Sequence, residues 1–139
     1  MKKIVVLLLL MVSANVFAEW TFIGNDVEGT SAYVDLSSIR KKGRTVKMWD
    51  LMDYQMVKGI VGQGNIFGED RSNSYLSSIV FSLYDCEEET RSVINGISYS
   101  GQMGSGTIIA ESFPDGARRE PVMPGTVSEK LFKIACGKK

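Results

Sequence analysis

Cys86 and Cys136 are the side chains best equipped for covalent chemistry here, and they are the only two cysteines in the sequence. Their wide spacing does not suit a redox pair, which sets its thiols two residues apart. What remains open to them is to pair with each other, and the start of the chain predicts a compartment that allows it. Met1, Lys2 and Lys3 form a charged head, Ile4 to Val12 an apolar run, and Val16-Phe17-Ala18 offers small residues where a signal peptidase cuts. Residues 1–18 are therefore expected to be a signal peptide and 19–139 an exported domain, folding where a Cys86–Cys136 disulfide persists. Closing that loop is expected to stabilise the fold by about 4 kcal/mol.

Other reactive constellations fall away on inspection. The sequence has no histidine, which removes the usual general base of Ser and Cys nucleophile systems and the commonest transition-metal ligand. With both thiols committed, no thiolate is left as nucleophile or zinc ligand. Around Ser105, Met103 stands where a nucleophile elbow needs glycine and no helix follows. The glycine-rich stretches Gly59 to Gly68 and Gly101 to Gly106 do not open helices after parallel strands, so they read as loops and not as phosphate cradles. Ile60, Val61, Ile66 and Phe67 in the first of these are expected either to fold over a sheet or to meet a partner. Asp50 and Asp53 are an odd number of residues apart in a strand and so face opposite sides. Glu87 to Glu89 crowd one turn, without the spaced ligands and central glycine of a calcium loop. The expectation is a non-enzymatic protein without a cofactor or metal.

The elements that carry these residues follow from periodicity. Without residues 1–18 the chain has 14 basic and 16 acidic residues, a net charge of −2. That balance gives no field for gathering nucleic acid. One compact domain fits this length. The run Ile4 to Val12 is about half of what spans a bilayer and no later run approaches it, so no transmembrane segment is expected. Glu19 follows the predicted cut, where a lipid anchor would require cysteine. Apolar residues recur mainly at every second position, predicting strands at Trp20–Ile23, Ala32–Asp35, Thr45–Tyr54, Tyr75–Asp85, Thr90–Tyr99 and Thr107–Phe113. Gly43 marks one hairpin tip and Cys86 to Glu89 another. Thr126 with Glu129 predicts a capped helix that ends at Gly137, with Val127, Leu131, Ile134 and Ala135 as its apolar stripe. The fold class is thus α+β, mainly β: an antiparallel sheet of about six strands with one C-terminal helix tethered by the disulfide.

Strand parity extends the reading. If Cys86 points at the helix, Leu76, Ser78, Val80, Ser82 and Tyr84 lie beneath it, and Tyr75, Ile79, Phe81 and Leu83 point away. A bulge before Cys86 would reverse this. The second set is too apolar to leave in water. Curling of the sheet, the segment from Gln55 to Ser74, or a second copy of the protein would cover it. Curling with self-association through these residues is the favoured solution.

The strongest surface feature is cationic: Arg40, Lys41, Lys42, Arg44 and Lys47 fall within eight residues on one hairpin. They serve either as a solubilising tip that discourages edge pairing or as a dock for anionic groups, including phosphates, sulfated glycans and acidic proteins. Arg118 and Arg119 would extend the patch if the fold brings them near. Trp20 and Trp49 read as packing or as aromatic anchors for a partner.

Several phrases carry a family resemblance: Tyr33-Val34-Asp35, Ser38-Ile39-Arg40-Lys41, Val46-Lys47-Met48-Trp49, Asp53-Tyr54, Tyr84-Asp85-Cys86, Tyr99-Ser100-Gly101 and the ending Ala135-Cys136-Gly137-Lys138-Lys139. In order and spacing, from Trp20 onward, the chain resembles the surface-adhesin protein E family of Gram-negative bacteria. The resemblance implies an extended antiparallel sheet with a helix tethered by a disulfide, and adhesion to host extracellular-matrix proteins. The expected role is that of an exported envelope protein, at the cell surface or in the periplasm, that recognises a protein or glycan partner. The alternative is a soluble periplasmic structural or assembly factor without a host ligand.

Overall fold

Alternating apolar residues build a single antiparallel sheet, seen in a computed structural model that describes residues 19–59, 74–112 and 118–137. The strands are β1 (Trp20–Asn25), β2 (Ser31–Asp35), β3 (Arg40–Lys42), β4 (Thr45–Gly59), β5 (Ser74–Asp85), β6 (Thr90–Tyr99), β7 (Ile108–Ser112) and β8 (Arg119–Pro121), followed by helix α1 (Val127–Cys136). Their order is β1-β2-β4-β5-β6-β7, with β3 on β4 and β8 on β6. Both ends of the sheet use a relay. One edge of β4 is taken by β3 at Thr45 to Lys47 and by β2 at Asp50 to Asp53. One edge of β6 is likewise taken by β8 at Thr90 to Ser92 and by β7 at Gly96 to Tyr99.

The six predicted strands are present, and β3 and β8 are additional. Both are three residues long and fully exposed, so they have no apolar alternation to betray them. Pairing with a long neighbour makes them strands. The predicted signal peptide, the apolar residues Ile60, Val61, Ile66 and Phe67, Phe113, Lys138 and Lys139 lie outside the described residues.

α1 starts where Thr126 Oγ1 accepts from the Glu129 N–H at 3.3 Å and ends at Gly137, φ 66°. Val127, Leu131, Phe132 and Ala135 are its buried residues, packed on Ala32, Val34, Val46, Met48 and Tyr84. Phe132 therefore widens the expected stripe, reaching the Tyr84 ring at 6.4 Å, while Ile134 is only partly covered. The Cys86–Cys136 disulfide is formed. It joins the end of β5 to the last turn of the helix, so a ten-residue helix that would be marginal alone is held on the sheet.

Candidate interaction surface

Because residues directly opposite in an antiparallel ladder share a face, the registers sort every side chain. Val46, Met48, Tyr84 and Ser82 lie on the helix side. The other face carries Trp49, Leu51, Ile79, Phe81, Leu83 and Ile97, continued on β2 and β1 by Tyr33, Trp20 and Phe22. Trp49 and Phe81 stack at 4.7 Å, and Phe22 meets Tyr33 edge-on at 5.4 Å. Trp20, Trp49, Ile79 and Ile97 line a shallow depression of about 300 Å³ on this face.

Part of this face is covered by a turn that the sequence presents only as a loop. Residues Gln102–Gly104 fold back over the sheet, where Ser77 Oγ donates to the Gly101 carbonyl at 2.6 Å and accepts from the Gly104 N–H at 2.9 Å. Gly104, at φ 72°, lies so close that a Cβ there would stand 2.8 Å from Ile79 Cδ1. Leu51 is completely buried as a result. Met103 also takes a positive φ of 54°, a strained conformation held by its N–H donating to Asp53 Oδ1 at 2.8 Å. Beyond the turn, Trp49, Phe81, Leu83 and Ile97 remain half-buried and Phe22 is 54% exposed. Tyr75 lies past the register shift between Asp53 and Lys58, edge-on to Tyr54 at 5.7 Å, apart from the row of Ile79, Phe81 and Leu83.

The five hairpin cations are not one patch. Arg40 pairs with Lys47 and Lys42 with Thr45, which puts these three cations on the aromatic face, whereas Lys41 pairs with Val46 on the helix side. Arg44 is claimed by the acidic turn of the next hairpin: 3.0 Å from Asp85, 3.1 Å from Glu87 and 3.9 Å from Glu88. Although burial opposes it, the Glu88 and Glu87 N–H donors and the Arg44 guanidinium hold the Asp85 carboxyl below its ordinary range. Arg40 donates to the carbonyls of Ser37 and Ile39. Lys42 and Lys47 are exposed, and neither forms an ion pair among the described residues. Arg119, in β8, pairs with Ser92 of β6 and is exposed there, with β4, β5 and β6 between it and β3, though its charge still acts on Asp85.

On the helix side, Asp50 is fully buried. Its carboxylate accepts from Ser82 Oγ at 2.9 Å and from Arg91 Nη2 at 3.0 and 3.3 Å, while Arg91 also donates to Ser82. Burial pushes the Asp50 carboxyl up, against the pull of Arg91, and it pushes the Tyr84 hydroxyl up as well, helped by the Asp50 charge. Asp53 lies on the opposite face, opposite Ser77, so the two carboxylates do not form a pair. Among the described residues no group of three or more His, Cys, Asp or Glu is placed to hold a metal ion, and no helix is long and apolar enough to cross a membrane.

A family model described as surface-adhesin protein E matches residues 20–137. Three solved structures of protein E from Haemophilus influenzae share the fold. Crystal form II is 16% identical, covers 84% of this chain and 87% of that chain, and has a TM-score of 0.54. The protein from a non-typeable strain is 16% identical with coverages of 89% and 79% and a TM-score of 0.54. A selenomethionine form gives 15%, 89% and 90%, and 0.55. No curated protein matches significantly.

Proposed function

Because the chain belongs to the surface-adhesin protein E family, we propose that it is a non-enzymatic exported protein of the Gram-negative envelope that binds a host matrix protein through the face opposite the helix. The observation that supports this most is the aromatic floor of Trp49 and Phe81 with Lys47 and Lys42 on the same face, neither in an ion pair among the described residues. A half-buried stacked pair offers apolar contact area, and adjacent cations without a carboxylate partner select an acidic surface. Arg44 contributes little, since its charge is already offset.

The test is binding of the secreted protein to immobilised matrix proteins over a salt series. Affinity should fall steeply with salt. Lys42→Glu with Lys47→Glu should weaken binding more than Lys41→Glu, because only the first two share the aromatic face. Equal effects of the two variants, or salt-insensitive binding, would refute the surface assigned. Labelling of intact cells distinguishes this role from that of a periplasmic factor, which labels only after the envelope is opened. Ile79, Phe81 and Leu83 on the same face are also where a second copy would seat. Light scattering at high concentration, with Phe81→Glu as control, tests that arrangement.

A further inference from the structure

We propose that the helix side of the sheet holds a second binding site, for one uncharged sugar residue of a glycan chain. α1 covers this face over Ala32 and Val34 of β2, Val46 and Met48 of β4 and Tyr84 of β5. Past it, the sheet opens into a groove of about 290 Å³ centred on Gly96. Gly96 is mid-strand, its φ is not positive, and an added Cβ would meet nothing within 4 Å. Neither conformation nor crowding requires glycine there. A glycine inside a strand weakens it and often marks close approach of a ligand, and here the missing side chain is what gives the groove its depth.

The surroundings specify the ligand. Gly96 lies between Val80 on β5 and Ser112 on β7, and in the next row Ser78 and Ser98 share a hydrogen bond at 3.0 Å beside Ala110. Apolar and hydroxyl groups are thus interleaved. Each serine can both donate and accept, as sugar hydroxyls do, while Val80 and Ala110 suit the C–H faces of a pyranose. The Tyr54 ring stands at one side and Arg91 at the other. The Arg91 charge is already balanced by Asp50 at 3.0 Å, so the site favours a neutral ligand over an anion. A peptide fits less well. The backbone groups of β5 and β6 are spent in their ladders, and an apolar side chain would leave the Ser112 hydroxyl and the remaining hydrogen-bonding capacity of the Ser78–Ser98 pair unused. The volume is at the low end for small-ligand pockets, which suits a single residue with the rest of the chain leaving through the open mouth.

The test is an NMR titration of the mature disulfide-bonded protein with methyl glycosides of neutral hexoses and N-acetylhexosamines, beside apolar tripeptides as the competing class. At least one glycoside should shift the amides of Gly96, Ser98 and Ser112. Gly96→Val fills the groove, so it should weaken that response by about tenfold or more while leaving the thermal midpoint unchanged or higher. Ser112→Val, at an exposed position, should weaken it too. No response to any glycoside, shifts only elsewhere, an undiminished response in folded Gly96→Val, or a response to tripeptides alone would each overturn the assignment.

Discussion

Removing Arg91 should expose the cost of a buried carboxylate, and the size of that cost can be bounded from two directions. In Arg91→Met, Asp50 loses its only cationic partner among the described residues, keeps the neutral donor Ser82, and sits at a fully buried position. Breaking one side of a buried ion pair typically costs about 3–5 kcal/mol. The carboxyl has an escape, which is to take up a proton. From an ordinary value of 3.8, holding that proton at pH 7 costs about 1.4 kcal/mol for each of about 3.2 units, which caps the loss near 4 kcal/mol. At pH 5 the same cap is about 1.6 kcal/mol. The sign follows from linkage: the folded variant retains a proton that the unfolded chain releases above pH 3.8, so acidification favours the folded variant. Burial raises Asp50 in the native protein as well, but Arg91 limits the rise. The stability gap between native and variant proteins should therefore be about 3–4 kcal/mol at pH 7 and shrink toward pH 5, measured by urea unfolding at each pH. Asp50→Leu combined with Arg91→Met should recover most of the loss, because no charge is then left buried. A gap below about 1 kcal/mol at pH 7, or one that widens on acidification, would refute the reasoning.

Three further outcomes are expected. Reducing the disulfide, which spans 50 residues, should lower stability by about 4 kcal/mol in the chain-entropy account, seen as a shifted urea midpoint. Leu131→Ala, at a completely buried position under the sheet, should cost about 2–5 kcal/mol by the same assay. Lys133, and then the Gly125 N–H at 2.7 Å, hold the Glu129 carboxyl below its ordinary 4.5. Its contribution is present above that value and disappears as pH falls through the lower folded value, so faster exchange of the Gly125 amide should appear only in that acidic window.

Much of this architecture was legible from residue order. Period-two alternation located all six long strands, and Thr126, Glu129 and Gly137 framed the helix, because these signals are local. What escaped depends on neighbours distant in sequence. Arg40 to Lys42 form a strand only because Thr45 to Lys47 pair with them. The turn at Gln102–Gly104 covers Leu51 and Ile79 only because Ser77 and Asp53 hold it there. The basic cluster looked uniform in sequence, yet pairing divides it between two faces, and an acidic turn more than forty residues away claims Arg44. Asp50 gave no sign of its partner, since Arg91 reaches it only once β5 and β6 are in register.

The sulfur bridge also has a mechanical meaning. A pull applied between the first strand and the far end of the helix runs along the chain to Cys86 and then crosses directly to Cys136. β6, β7, β8 and the helix lie inside the bypassed stretch of 50 residues, about 170 Å of contour that tension cannot pay out. Under flow, such a molecule can unravel from its first five strands while the remainder stays tied as a closed loop.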